Sequence, residues 1–124
     1  NHKDAKLLVV GDLDLSQKFD FLSAQIVKKP KVDYVKLQDY YAEASVNLAP
    51  LVINDFTNCK SELKFFEPAI AETTTLASPT YAFKNSIIDG KTGFLCEGSE
   101  WYDKLEYLYA HPEENKKIAN LAIF

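Results

Sequence analysis

The chain has 124 residues, of which 47% are hydrophobic and 26% are charged. This composition is sufficient for a packed core and excludes an intrinsically disordered chain, and the length fits one domain of ordinary size. The 14 basic residues, all of them lysines, stand against 18 acids, which gives a net charge of -4. A chain of this charge is not expected to bind broadly along a nucleic-acid backbone.

The cysteines and the hydropathy of the chain restrict its class further. Two cysteines, Cys59 and Cys96, are too few for a disulfide framework or a zinc site, so we expect free, buried thiols. No stretch approaches the ~18 consecutive apolar residues of a membrane span. We therefore expect a cytoplasmic location.

Short apolar runs alternate with helical periodicity along the chain. Residues 7–10 are apolar and are closed by Gly11, which is typical of a buried parallel strand. Pro30 and Pro50 each end a segment, because proline cannot continue a helix or a central strand. These patterns predict strands at 6–10, 32–35, 46–50, 73–77 and 93–96, and helices at 16–27, 37–44, 61–71, 82–88, 100–110 and from 112 onward.

Strands that alternate with short helices predict an α/β fold. We expect a Rossmann-like parallel sheet with helices on both faces, in a single domain over residues 1–124. Ligands of such folds bind beyond the carboxyl ends of the strands. The candidate site is therefore formed by the segments that follow the predicted strands.

Three charged residues after Cys59 share one face of a predicted helix. Lys60, Lys64 and Glu67 are spaced i, i+4 and i+7, which places their side chains on the same side. Two lysines one turn apart repel each other unless an acid or an anion lies between them, so Glu67 can neutralise one and a ligand phosphate the other. The alternative is a solvated polar face that pairs with itself.

The connection after the fourth predicted strand is a second candidate for anion binding. In the run Ser78-Pro79-Thr80-Tyr81-Ala82, Thr80 is placed to cap the next helix. The first-turn N–H groups of that helix would point back at the strand ends, where an anion gains from unpaired donors and the helix dipole. The alternative is an ordinary capped connection.

Residues 60–96 resemble part of a known family, and their sequence is KSELKFFEPAIAETTTLASPTYAFKNSIIDGKTGFLC. With the later run EWYDKLEYL, they resemble the C-terminal donor-binding half of the group 1 (family 4) GT-B glycosyltransferases. Upstream, DYYAEASVNLAPL and LLVVGD are similar to two further segments of that half. The alignment places Glu67 on the second Glu of the family's paired-glutamate motif and residues 89–95 on its closing Asp-Gly-x-Thr-Gly-Phe-Leu segment.

The resemblance implies an enzyme and its partners. A full-length protein of this family would be a retaining glycosyltransferase that transfers a hexose from a nucleotide-diphosphate sugar to a glycan or other acceptor, as in polysaccharide biosynthesis. It implies no metal and no other cofactor. The N-terminal acceptor domain of the same protein would be the second partner, and a position at the membrane surface would come through other parts of the protein.

The resemblance also implies roles for single residues. Glu67 would bind the ribose hydroxyls of the nucleotide, and residues 80–82 would lie against the diphosphate. Lys60 or Lys64 would add positive charge as the leaving group develops its own negative charge. The residues implied in donor binding are Lys60, Ser61, Glu62, Lys64, Glu67, Thr80, Tyr81 and Ala82.

The sequence departs from the family pattern at several of these positions. The first Glu of the pair falls at Cys59, and Lys60 with Glu62 is proposed in its place. A subgroup with KSELK in place of the family's acid-x-Phe-Gly signature would account for this departure, and we expect the chain to belong to it. Glu72 stands where the family has the Gly that ends the site helix. A glutamate in a left-handed conformation at that position costs about 1 kcal/mol of stability. Tyr81 and Ala82 stand where the family has Gly-Gly in its phosphate loop.

Two other classes of function stay open from the residues alone. Asp12 and Asp14 after the first strand resemble the acidic pair of a receiver-like signalling module, although the third strand offers no phosphorylatable Asp. An inactive α/β domain is the second alternative, with Cys59, Glu72 and Tyr81 as signs of decay.

The family's C-terminal half normally begins with one more strand, loop and helix, whose Arg and Lys clamp the donor diphosphate. This chain contains no Arg and starts at the following strand. We therefore expect a domain truncated on its N-terminal side that transfers no sugar by itself. An uncovered sheet edge would favour self-association of the fragment.

Overall fold

Two sheets, each built of parallel strands, form the framework of the computed structural model, which describes residues 2–60 and 63–123. The chain divides after Leu37 into two units, the first with a two-stranded sheet and the second with a three-stranded sheet. Parallel strands joined by helical segments are the predicted α/β arrangement, and that prediction is confirmed. A single domain over the whole chain stays a prediction.

The first unit pairs β1, Leu7–Val10, with β2, Ile26–Lys29, in parallel. A 3-10 helix, Gln17–Gln25, connects the two strands in place of the helix predicted at 16–27. The prediction of β1 is confirmed. The second strand predicted at 32–35 is wrong, because the β-branched Ile and Val that open β2 extend and pair with β1 instead.

The helix α1, Tyr34–Glu43, begins three residues before the helix predicted at 37–44. The cause is Asp33, whose side chain accepts a hydrogen bond of 2.9 Å from the backbone N–H of Lys36. An aspartate in this position satisfies a first-turn donor and so starts a helix. The second half of the predicted strand, residues 34 and 35, is therefore the start of a helix.

The sheet of the second unit consists of β3, Val46–Ala49, β4, Thr74–Ala77, and β5, Phe94–Leu95, in that order. All three strands are parallel and match their predicted positions to within one residue at either end. Every residue of the central strand β4 is buried, as expected where helices cover both faces of a parallel sheet.

Helices surround this sheet. The helix Glu100–Ala110, α5, has 11 residues, and no helix of the described residues is both long and apolar enough to cross a membrane. Ser99 precedes α5, but its side chain makes no capping hydrogen bond, and Glu100 accepts from the Glu97 N–H instead. The helices are α2, Asp55–Asn58, α3, Leu63–Ile70, α4, Tyr81–Ser86, α5, Glu100–Ala110, and α6, Pro112–Leu121.

The core of the second unit has one cluster on each face of its sheet. Adjacent residues of a strand point to opposite faces, so Ala77 and Leu76 belong to different clusters. Ala77 packs with Phe65 of α3 and Phe83 of α4. On the other side, Leu76 packs with residues of α5 and α6, namely Leu108 and Ile118. Helices on both faces of the sheet are thus confirmed for this unit.

The helix α3 ends in a Schellman motif. The N–H of Glu72 donates to the carbonyl oxygen of Ala69 at 2.9 Å, and the N–H of Thr73 donates to that of Pro68 at 2.9 Å. Glu72 has a φ of 59°, so the left-handed conformation expected at this position is present. Glutamate pays a steric cost there because its Cβ crowds the neighbouring carbonyl oxygen.

Replacing Glu72 with glycine should raise the free energy of unfolding by about 0.5–1 kcal/mol. The steric cost of the left-handed conformation disappears, and the greater freedom of glycine in the unfolded chain offsets part of the gain. Urea unfolding measures the change. The control is Glu72→Ala, which keeps the Cβ; equal stability of the two variants would contradict the prediction.

Candidate functional site

The carboxyl ends of β3, β4 and β5 are tied to one another just beyond the sheet. The N–H of Ser78 donates to the carbonyl oxygen of Ala49 at 3.2 Å, and the Ser78 hydroxyl oxygen accepts from the N–H of Leu51 at 2.7 Å. The N–H of Cys96 donates to the carbonyl oxygen of Ala77 at 2.9 Å. This edge is the part of a parallel α/β sheet at which ligands bind.

A cavity of about 270 Å³ opens at this edge. Ser78 and Cys96 are its most buried lining residues, and half-buried Trp101 contributes its ring. None of the described residues predicted for donor binding lines it. The lining residues are Leu51, Ile53, Ser78, Pro79, Cys96, Glu97, Gly98 and Trp101.

A second cavity lies away from these strand ends. It measures about 360 Å³ and is bounded by side chains of α5 and α6 and by Phe94 of β5. The ammonium group of Lys104 lies 5.1 Å from the centre of the Phe94 ring. No predicted site residue of the described chain reaches this cavity either.

Glu67 lies on α3, where its side chain is half-buried. The hydroxyl of Tyr41, from α1, donates a hydrogen bond to Oε2 of Glu67 at 3.3 Å. Side chains on a helix lean toward its N-terminal end. In α3 that end follows the carboxyl end of β3 in the chain, and the carboxyl ends of the strands are where ligands bind in this class of fold.

The prediction that Lys60, Lys64 and Glu67 share one face of a helix is wrong for Lys60. The helix α3 is described from Leu63, so Lys64 and Glu67 belong to it and Lys60 does not. The ammonium group of Lys60 lies 4.9 Å from the centre of the Phe56 ring instead. Ser61 and Glu62 lie outside the described residues.

The cause of this difference is a short helix that the prediction missed. In α2 the Asn54 side chain accepts from the Thr57 N–H, and the Thr57 hydroxyl oxygen accepts from the Asn54 N–H, which is a capping box. The helix then ends at Cys59, where the chain turns. The pair Asn54 and Thr57 is a local signal that was readable in the sequence.

Thr80 caps α4 as predicted, with its hydroxyl oxygen accepting from the N–H of Phe83 at 3.4 Å. The N–H of Tyr81 donates to the side-chain oxygen of Asn58 at 2.9 Å. Two first-turn donors of α4 are therefore used by the protein itself. An anion against residues 80–82 would compete with Asn58, a residue 23 positions upstream that no sequence pattern pointed to.

Both cysteines are free, as predicted. The expected burial is confirmed for Cys96 and is wrong for Cys59, which is exposed at the end of the short helix α2. Burial raises the pKa of the Cys96 thiol from 9.0 to about 11. The negative charges of Glu100 and Asp89 add to this rise, and the positive charge of Lys104 opposes it. The thiol at the strand ends is thus neutral at physiological pH and a poor nucleophile.

This pKa predicts a pH dependence of stability. Because the pKa of the Cys96 thiol is raised above its unfolded value, the neutral thiol favours the folded state. This contribution to stability is fully present below pH 9.0 and is lost as the pH rises through about 11.

We also expect a disulfide reagent at pH 8 to label one thiol in the native protein and two in urea. A native Cys59→Ser variant should then show no rapid labelling; rapid labelling of its Cys96 would contradict the assignment.

Acidic, histidine and cysteine side chains do not cluster in the way that metal ions require. Within residues 2–60 and 63–123, no three of them lie close enough together to hold a metal ion.

Solved protein structures share this fold. The C-terminal domain of the glycosyl transferase group 1 family protein LpcC from Francisella tularensis superposes with a TM-score of 0.73 at 21% identity, over 86% of this chain and 55% of that one. The Anabaena protein HepE in complex with UDP gives a TM-score of 0.70 at 14% identity, over 96% of this chain and 35% of HepE. HepE in complex with UDP-glucose gives 0.63 at 14% identity, over 95% and 35%.

No protein-family model matches the chain, and no curated protein matches it in sequence. The chain spans about half the length of the solved LpcC domain and about a third of HepE. At these identities the likeness shows the fold. The predicted resemblance to the C-terminal domain of a group 1 glycosyltransferase is confirmed at that level.

Proposed function

We propose that this chain is the donor-binding part of a glycosyltransferase that takes its sugar from a nucleotide sugar. The observation that carries the proposal is the match of 96% of the chain to HepE, a protein solved with UDP and with UDP-glucose. One fold serves many functions, so the assignment also needs residues suited to the ligand. Glu67 and Lys64 supply them.

Glu67 is the residue to which we assign the ribose. A carboxylate accepts two hydrogen bonds side by side, which suits the adjacent 2′- and 3′-hydroxyls of a ribose. Its half-buried position on α3 makes such charge-assisted bonds stronger than they would be in open water. The position also matches the second Glu of the family motif that residues 60–96 resemble.

Lys64 is the better placed of the two lysines for the diphosphate. It is exposed on α3 and lies one turn before Glu67, whereas Lys60 is outside this helix and stacks on Phe56. A cation beside the leaving group stabilises the negative charge that develops on the diphosphate as the sugar departs. The loop at 80–82 would contribute backbone donors once Asn58 moves away from Tyr81.

The finer parts of the proposal are supported by the family resemblance of the sequence. They are transfer of a hexose with retention of configuration, departure of the diphosphate without a metal, and a glycan acceptor. HepE is about three times as long as the part that this chain matches. We place the acceptor contacts in a second domain of the complete protein, which makes that domain the partner of this one.

Nucleotide binding by the complete protein tests the proposal. Isothermal titration with UDP, GDP, ADP and UDP-glucose should give micromolar affinity for at least one of the diphosphates. The matching nucleoside monophosphate is the control and should bind more weakly, because it lacks the second phosphate that Lys64 contacts. If none of the four compounds binds in the millimolar range or tighter, the proposal is wrong.

A further inference from the structure

Tyr41 of α1 contacts Glu67 but is not itself among the residues assigned to the nucleotide. Its side chain is buried, with 8% of its surface exposed. Its backbone carbonyl oxygen accepts a hydrogen bond from the hydroxyl of Thr73, the residue just before β4. Because the main chain is tied to the sheet and the ring is packed, the position of the Tyr41 hydroxyl is set by the fold.

That hydroxyl donates to Oε2 of Glu67 at 3.3 Å. A glutamate on a helix surface has three rotatable bonds, and a ligand that fixes it has to overcome the loss of that freedom. Here a buried donor restrains the carboxylate before any ligand arrives. A ligand then meets a carboxylate that is already in place, and this raises affinity without a new contact.

The second carboxylate oxygen and the helix itself complete the arrangement. Among the contacts of the described residues, Oε1 of Glu67 accepts no hydrogen bond, so it is available to a ligand. The start of α3 is fixed as well, because the side-chain amide of Asn47 on β3 donates to the carbonyl oxygen of Lys64 at 2.9 Å. The same amide donates to the hydroxyl of Thr75 on β4 at 3.2 Å.

We propose that Tyr41 is a positioning residue that holds the Glu67 carboxylate for the ribose hydroxyls of the donor nucleotide. The inference rests on the proposed function. Tyr41 does not touch the nucleotide and acts through Glu67 alone. Its removal should therefore affect only that part of the affinity that comes from the ribose hydroxyls.

The test compares two ligands in the complete protein. The first is whichever of UDP, GDP and ADP binds most tightly, and the second is its 2′,3′-dideoxy analogue, which lacks both hydroxyls. In the wild-type protein the natural diphosphate should bind at least about tenfold more tightly than the analogue. Tyr41→Phe keeps the buried ring and should reduce this ratio about fivefold, through weaker binding of the natural diphosphate alone.

Two further variants separate the explanations. Tyr102→Phe removes a hydroxyl from an exposed tyrosine on α5 and should leave the ratio unchanged. The double variant Tyr41→Phe with Glu67→Gln should lose no more of the ratio than Glu67→Gln alone, because both changes act on one interaction.

The outcomes distinguish the inference from the proposed function. If Glu67→Gln lowers the ratio and Tyr41→Phe does not, Glu67 binds the ribose without help and the inference is overturned. Equal weakening of both ligands by Tyr41→Phe also overturns it, because that pattern indicates a general structural role. If the wild-type protein binds no diphosphate, the proposed function fails, and the inference fails with it.

Discussion

Replacing Phe83 with alanine should lower the free energy of unfolding by about 3–5 kcal/mol. Phe83 is 2% exposed and packs from α4 against Ala77, Phe65 and Ile87 on one face of the three-stranded sheet. Its removal loses the transfer free energy of the ring and leaves a cavity that these neighbours fill only in part. The expected loss is a large share of the 5–15 kcal/mol that roughly describes the stability of whole domains.

An exposed phenylalanine provides the matched control. Phe56 on α2 is 73% exposed, so Phe56→Ala should change the free energy of unfolding by about 0.5 kcal/mol or less. Urea unfolding of both variants, followed by circular dichroism, gives the comparison. Similar losses for Phe83→Ala and Phe56→Ala would show that the α4 side of the sheet is not packed as described.

Replacing Glu67 with glutamine should weaken the binding of the nucleoside diphosphate about 10- to 100-fold while the fold is kept. Glutamine has nearly the same shape, but it loses the negative charge and one acceptor. Hydrogen bonds to charged groups contribute about 1.5–3 kcal/mol, which corresponds to this range of affinity. Isothermal titration of the complete protein measures the change.

The control for this variant lies close by in the sequence. Glu72→Gln makes the same chemical change at an exposed residue just after α3, and its affinity should equal that of the wild-type protein. Binding by Glu67→Gln within twofold of the wild-type value would remove Glu67 from the site. Equal weakening by both variants would point to net charge rather than to a ribose contact.

Much of the second unit could be predicted from the sequence because its signals are local and agree with one another. The burial of every residue of β4 is readable in the run of β-branched and apolar residues that Pro79 ends. The cap at Thr80 follows from its position before a helix. The position of Glu72 at the end of α3 follows from the resemblance, because the family has a Gly there. The turn and strand at 89–95 were predicted because this segment resembles the closing segment of the family.

The errors arise where two local signals compete or where a contact is long-range. Residues 26 and 27 were predicted as the end of the helix at 16–27, and only pairing with β1 makes residues 26–29 a strand. The capping residue Asp33 and the capping box at Asn54 were readable but were outweighed by periodicity downstream.

The candidate site was predicted less completely than the fold. Its contacts join residues far apart in the chain, as in the hydrogen bonds from Tyr41 to Glu67 and from Tyr81 to Asn58. Neither periodicity nor spacing encodes such pairs, because they depend on how helices pack over the sheet. The resemblance identified Glu67 by its position in a motif, whereas the two partners Tyr41 and Asn58 required the structure.

A crystal structure of the complete protein with its tightest-binding nucleoside diphosphate tests the central claim most directly. We expect both ribose hydroxyls within about 2.5–3.2 Å of the Glu67 carboxylate, with the diphosphate near Lys64. A nucleotide whose ribose lies away from Glu67, for example in the cavity of about 360 Å³ beside α5 and α6, would contradict the assignment.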